Sequence, residues 1–348
     1  MNITLFCGPS HEPFSPKSGV DGRGGSEEMV IGLSRELQKQ GNTVTVFNRC
    51  STDEGVYDGV SYINYEDAED ITTDILVIWR DPGMLLKYKL DKLNCKKYLW
   101  LHDTVMQLDV IPYLMGFDRI MVLSEWHKNY YTNLLSPEHH HKFYVTRNAI
   151  DYGDFKQKVE RKPYKMVYGS LYNRGLEGLL TIWSRIKFAV PEATLSVFYG
   201  WETLEKLMPL EQFTEYKAYM ENLLDQEGIE HLGRLSHKDV AKQYLEADVW
   251  AYPTGFNEVS CITAVKAQVG GAVPVVFPKA ALHETVKYGV KVTLGNNMEE
   301  LLDNYAKSLI RVLKDTKGKE AMRQAMTHYP DWSYKSLASE WTKEFNGR

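Results

Sequence analysis

The sequence predicts an α/β protein built from two doubly wound, parallel-sheet domains. Three observations carry this reading. The chain has 348 residues, more than one hydrophobic core usually serves, so about two domains are expected. Strand-like and helix-like segments alternate along its length, the signature of βαβ units. The apolar runs ILVIW (75–79) and IMVLS (120–124) lack in–out alternation and suit central parallel strands covered on both faces.

In the N-terminal half, strands are expected at 2–7, 43–47, 74–79, 97–101 and 119–123, with helices near 26–40, 104–114 and 125–135. Met29, Leu33 and Leu37 recur every four residues and mark one buried helix face. Gly41 stops that helix before Val44 and Val46 open the next strand. The pattern resets after Asn148-Ala149-Ile150-Asp151, and the polar stretch 153–165, with Pro163 near its end, reads as a linker. Strands then follow near 166–169, 194–199, 248–252 and 273–277, with helices near 175–189, 212–227, 237–246 and 261–268. Further helices are expected at 297–314 and 319–327. In the final segment Leu337, Trp341 and Phe345 lie four apart and form a docking stripe. The expected domains are 1–152 together with 333–348, and 153–332. Ligands of such sheets sit outside the carboxyl ends of the strands, so both halves are expected to present their sites to one cleft.

Composition narrows the functional classes. A hydrophobic share of 43% with 25% charged residues fits a soluble globular chain, and a net charge of −5 gives no global attraction to nucleic acid. Cysteines at 7, 50, 95 and 261 make no C-x-x-C pair, so neither a zinc knuckle nor a disulfide framework is expected. The first residues enter a strand with no basic n-region, and no window reaches about 18 apolar residues. A reduced, cytoplasmic compartment is therefore expected. His139-His140-His141 reads as an exposed loop, because three adjacent side chains cannot converge on a metal. Lys87, Lys89, Lys92, Lys96 and Lys97 read as a solvated face, with membrane contact at most peripheral.

Four segments could carry chemistry. The stretch Pro253–Pro278 runs through a polar loop with Glu258 into a helix that opens near Val259, Ser260 and Cys261 and stops at Gly270-Gly271. Unpaired N–H groups at such a helix start favour an anion. Gly24-Gly25-Ser26-Glu27 opens the first helix; either a ligand approaches the glycine backbone or Ser26 is a plain N-cap. Trp100-Leu101-His102-Asp103 ends a strand, where His102 either meets a sugar hydroxyl or caps the next helix. In Gly169–Glu177 a strand turns into a helix, and Arg174 would add a permanent charge to an anion site unless it is simply solvated. Trp79-Arg80-Asp81 sits at another strand end, where it either faces the cleft or is accounted for by ion pairing inside the loop. Tyr130 and Tyr131 receive no role.

These motifs, in this order, resemble the retaining glycosyltransferases of family 4. G-G-S-E, W-L-H-D, L-S-E-W-H-K (123–128), N-A-I-D, N-R-G-L and the Glu258 loop span nearly the whole chain. The resemblance implies the GT-B fold, two facing Rossmann-like domains with the last helix crossing back to the first. It implies sugar transfer from a nucleotide-diphosphate donor with retention at the anomeric carbon and without a metal ion or other cofactor. It assigns catalytic roles to His102, Asp103, Glu258 and Arg174. The donor side would comprise Gly24, Gly25, Ser170, Arg174, Arg234, Glu258, Val259, Ser260, Cys261 and Lys266, and the acceptor side Glu27 and His102. Two positions depart from the family. Ser170 stands where an arginine is usual, and Lys266 stands where a second glutamate is usual, with seven residues between it and Glu258. Residue 266 lies about 9 Å along the helix from its start, from where a lysine could meet a ribose oxygen or the diphosphate. A nucleotide-sugar epimerase or sugar phosphorylase on the same fold, and a non-catalytic binder or scaffold on a decayed one, stay open as alternatives. So does the acceptor: glycan, lipid-linked or small molecule.

Overall fold

The computed structural model describes residues 1–10, 12–17, 24–104 and 108–347. It divides into two compact units, residues 1–151 with 331–348, and residues 152–330.

The first unit opens with β1 (Asn2–Gly8), α1 (Gly25–Lys39), β2 (Thr43–Asn48), β3 (Gly55–Tyr57) and β4 (Val60–Asn64). It continues with β5 (Ile75–Trp79), α2 (Met84–Lys87), β6 (Lys96–Trp100), β7 (Arg119–Val122), α3 (Glu125–Thr132) and β8 (Phe143–Val145). The sheet order is β3-β4-β2-β1-β5-β6-β7-β8, parallel throughout except for the β3–β4 hairpin. Strand order reverses beside β1, so the switch point lies between β1 and β5. Phe6, Leu76, Ile78, Leu99, Ile120 and Val122 belong to the core on one face.

The second unit holds β9 (Lys165–Tyr168), α4 (Leu176–Thr181), α5 (Trp183–Ala189), β10 (Thr194–Phe198), α6 (Glu202–Leu207), α7 (Leu210–Leu224) and β11 (Ile229–Gly233). Next come α8 (His237–Glu246), β12 (Val249–Tyr252), α9 (Ile262–Val269), β13 (Val273–Val276), α10 (Leu282–Thr285), β14 (Val290–Lys291), α11 (Met298–Lys314) and α12 (Thr316–Met326). Its sheet is wholly parallel, in the order β11-β10-β9-β12-β13-β14, with the switch point between β9 and β12. The core is one apolar cluster that includes Met166, Trp183, Val197, Trp250, Val275 and Leu309.

The last helix, α13 (Tyr334–Phe345), belongs to the first unit. Its stripe is buried: Leu337 and Trp341 are fully covered, the Trp341 indole donates to Thr146 Oγ1 at 2.7 Å, and its ring lies 4.8 Å from that of Trp100. Gly32 of α1 admits this helix, since a Cβ there would stand 2.3 Å from the Tyr334 ring.

Several elements depart from the sequence reading. The predicted helix 175–189 breaks at Ile182, after Thr181 turns its hydroxyl back onto the Gly178 carbonyl (3.0 Å). The predicted helix 212–227 is α7, preceded by α6, with Pro209 restarting the chain between them. Residues 105–107 of the predicted 104–114 helix lie outside the described residues, and 108–116 form a 3-10 helix containing Pro112. The β3–β4 hairpin went unread, although Asp58 and Gly59, both at positive φ (50° and 80°), form the Asp-Gly turn that favours one. The histidine run forms a 3-10 helix rather than a loop, with His140 Nε2 at 2.9 Å from the Thr132 carbonyl. Among the described residues, no acidic, cysteine or histidine group is set to hold a metal, and no helix is long and apolar enough to cross a membrane.

Candidate functional site

In the second unit the two loops that leave the switch-point strands β9 and β12 come together. Gly175 makes this approach possible: its φ is +97°, and a Cβ would stand 2.3 Å from the Pro253 carbonyl oxygen. A side chain there would therefore face both a strained backbone and a backbone clash. The turn before it is held by a bond from the Arg174 N–H to the Leu171 carbonyl (2.9 Å). Arg174 Nη1 then meets Glu258 Oε1 at 3.1 Å, and the guanidinium lies 4.0 Å above the Phe256 ring. The Tyr252 hydroxyl donates to the same Glu258 oxygen at 2.6 Å, and Ser170 Oγ lies 3.2 Å from that hydroxyl.

Electrostatics fix the charge states of this group. Burial opposes charge on Arg174, but the Glu258 carboxylate outweighs it and raises the pKa further, so the guanidinium stays charged. Burial, and secondly Glu258, hold the Tyr252 phenol protonated at neutral pH, which makes it the donor. The same two causes push the Cys261 thiol up to about 12, so it is a neutral group and not a nucleophile. Cys261 is the N-cap of α9, a cap with no side-chain hydrogen bond.

The structure thus brings Ser170, Arg174, Glu258 and Cys261 to one corner, with Ser260 buried and Val259 half-buried in the same loop. Lys266 lies in the second turn of α9, half-buried. Arg234 sits beside Gly200, past the carboxyl end of β10. Sequence reasoning missed Tyr252 and Phe256. A tyrosine at a strand end six residues before a glutamate was the available signal.

The first unit has its own polar corner, at the carboxyl ends of β5 and β6. These strands pair with Trp79 opposite Trp100, so the residues that follow them are neighbours. Arg80, not assigned a role from sequence, donates from Nε and Nη2 to the two carboxylate oxygens of Asp103, at 2.6 and 2.8 Å. The pair spans two strand ends, so the in-loop ion pairing that was one of two readings of Trp79-Arg80-Asp81 is not what forms; Asp81 instead accepts from the Gly83 N–H. Arg80 Nη1 also donates to Ser26 Oγ (3.4 Å) and lies 4.0 Å from Glu27. Ser26 is not the helix cap. Gly24 occupies that position with no side-chain bond, and the Ser26 hydroxyl donates to Glu27 at 2.9 Å. Gly24 leaves space for Glu27, whose Oε2 would lie 2.2 Å from a Cβ there; Gly25 is the first residue of α1.

The Asp103 carbonyl accepts from His127 Nε2 (3.0 Å) and the Tyr131 hydroxyl (2.9 Å). Because the Leu123 N–H donates to His127 Nδ1 at 3.2 Å, the proton of His127 sits on Nε2. Burial lowers the His127 pKa to about 4. His102 is 9% exposed, flanked by the rings of Trp79 and Trp100, and its Nε2 finds no partner among the described residues. Burial, then Arg80 and His127, keep it well below the usual histidine range, hence neutral.

No protein-family model and no curated protein matches the sequence. The fold does match solved structures. The chain is similar to sucrose-phosphate synthase from Thermosynechococcus elongatus, with a TM-score of 0.71 at 14% identity over 99% of this chain and 98% of that one. It is similar to a glycosyltransferase from Rickettsia africae, with a TM-score of 0.72 at 16% identity over 99% and 98%. It is also similar to HepE of Anabaena, solved with UDP-glucose, with a TM-score of 0.73 at 12% identity over 100% of each chain. Two parallel-sheet units in this arrangement of elements define the GT-B fold.

Proposed function

We propose that the chain is a retaining glycosyltransferase that moves a sugar from a nucleotide-diphosphate donor to a hydroxyl acceptor. The observation that carries the reading is the Arg174–Glu258 pair at the switch point of the second unit, beside the start of α9. Arg174 and the first N–H groups of α9 are assigned to the donor diphosphate, where negative charge grows as the bond to the anomeric carbon breaks. Glu258, oriented by Tyr252, is assigned to the sugar hydroxyls. The acceptor oxygen bonds to the anomeric carbon, and its proton leaves with the diphosphate. His102, Asp103 and Glu27 are assigned to the acceptor, where neutral His102 exchanges a hydrogen bond with a hydroxyl. Arg174 serves in place of a metal ion.

Calorimetry with UDP, ADP and GDP and their glucose conjugates tests this reading. One nucleotide should bind, and a donor at about 100 times its dissociation constant should stabilise the protein by about 2.7 kcal/mol. If no nucleotide or nucleotide sugar binds, the reading falls. A second reading, a binder that does not catalyse, is favoured by Ser170, whose hydroxyl engages Tyr252 where the family usually has a cation. Binding without release of nucleoside diphosphate in the presence of any acceptor would select it. An epimerase would instead yield a new hexose without a glycosylated acceptor.

A further inference from the structure

Arg80 stands in a backbone conformation that L-residues disfavour, at φ +69°. Glycine would adopt it freely. The arginine side chain instead gathers three groups from distant parts of the sequence. Its fork grips both oxygens of Asp103, and Nη1 reaches Ser26 and the neighbourhood of Glu27 at the opening of α1. The guanidinium also lies 5.1 Å from the Trp79 ring, which flanks His102. Asp103 is thereby fixed twice: its carboxylate by Arg80, and its carbonyl by His127 and Tyr131. His102, one residue earlier, has a ring nitrogen with no partner among the described residues, as do the flanking Trp79 and Trp100 indoles.

We propose that Arg80 is a positioning residue for the acceptor-side corner, locking Asp103 and the Ser26–Glu27 turn so that Asp103 and His102 meet a hydroxyl in one arrangement. The role rests on the glycosyl-transfer reading for its purpose, but the grip itself does not. A bidentate guanidinium–carboxylate pair has a fixed planar geometry that a lysine cannot supply. Its removal frees the Asp103 carboxylate to turn toward solvent while leaving the second unit untouched.

The test uses Arg80→Gly, which relaxes the backbone while deleting the fork, and Arg80→Lys, which keeps the charge without it. In the full-length protein without substrate, guanidinium chloride at millimolar concentration is titrated into Arg80→Gly while the Trp79 indole N–H signal is followed by NMR. A saturable shift, absent with sodium chloride and absent in Arg80→Gly/Asp103→Asn, is expected. With a donor that binds the wild type, Arg80→Gly should melt at or above the wild-type temperature yet turn over at least about tenfold more slowly. Its donor dissociation constant should stay unchanged, Arg80→Lys should remain slow, and guanidinium should restore part of the rate. An unsaturable shift, a shift that survives Asp103→Asn, or Arg80→Gly turnover within about twofold of wild type would each overturn the assignment. Should the wild type transfer no sugar while the saturable shift is present, the transferase reading falls and the grip on Asp103 stands.

Discussion

His127 makes the first unit sensitive to acid in a way that can be isolated. Its pKa is lowered from 6.5 to about 4, chiefly by burial. Below pH 6.5 an unfolded chain takes up a proton that the folded chain refuses until about pH 4. The stability contribution is therefore complete above the unfolded value and is lost as pH falls through that interval, which corresponds to about 3 kcal/mol. His102 is lowered too and acts in the same direction. The perturbation is His127→Asn, which can still accept from the Leu123 N–H but neither titrates nor reaches the Asp103 carbonyl. At pH 7.5 the variant should be less stable by about 1–2 kcal/mol, the loss of one buried hydrogen bond. Urea unfolding of both proteins at half-unit steps down to pH 4.5, followed by tryptophan fluorescence, gives the difference curve, in which titrating groups not coupled to His127 cancel; His102 is coupled to it. The wild type should lose about 2–3 kcal/mol more than the variant over this range, so the curves converge and cross. Parallel curves would refute the account of His127 as a buried neutral base.

Arg174→Gln should weaken nucleotide diphosphate binding by about tenfold or more, read by calorimetry, and should lower the melting temperature, because the buried Glu258 carboxylate loses its counter-charge. Trp341→Ala should destabilise the protein by about 3–5 kcal/mol in urea unfolding, because the ring is fully buried against Trp100 and bonded to Thr146. Gly32→Ala should cost about 1–3 kcal/mol, since its Cβ would enter the Tyr334 ring, and limited proteolysis should then release α13 sooner. Asp248→Asn should cost about 3–5 kcal/mol by the same unfolding measurement, leaving buried Lys319 and its neighbour Arg323 without their carboxylate.

The sheets were legible because ILVIW and IMVLS are near-continuous apolar runs, as covered parallel strands require. Edge strands were not: IEHLG of β11 carries polar residues because none of its positions is fully buried. The break at Ile182 depends on a hydroxyl turning back on its own helix, which no periodicity reports. In the candidate sites, Arg174, Glu258, His102 and Asp103 stood out by residue type and position at strand or helix ends. Their partners did not, because partnership depends on register. Arg80 meets Asp103 only because Trp79 pairs with Trp100. The recurrence of tryptophan at the ends of two successive strands, W-R-D and W-L-H-D, was the one available hint of that alignment.

Ile150 donates its N–H to the Trp332 carbonyl at 2.8 Å, so the chain leaves the first unit and returns to it at adjacent points. Residues 152–330 are in effect an excursion from a unit whose closing helix is synthesised after them. During translation, then, the second unit can complete its sheet while the first still lacks Trp341, and β6 waits with one face bare. A short turn joining 151 to 331 would keep every residue of the first unit, and the excised piece would carry the whole of the other sheet.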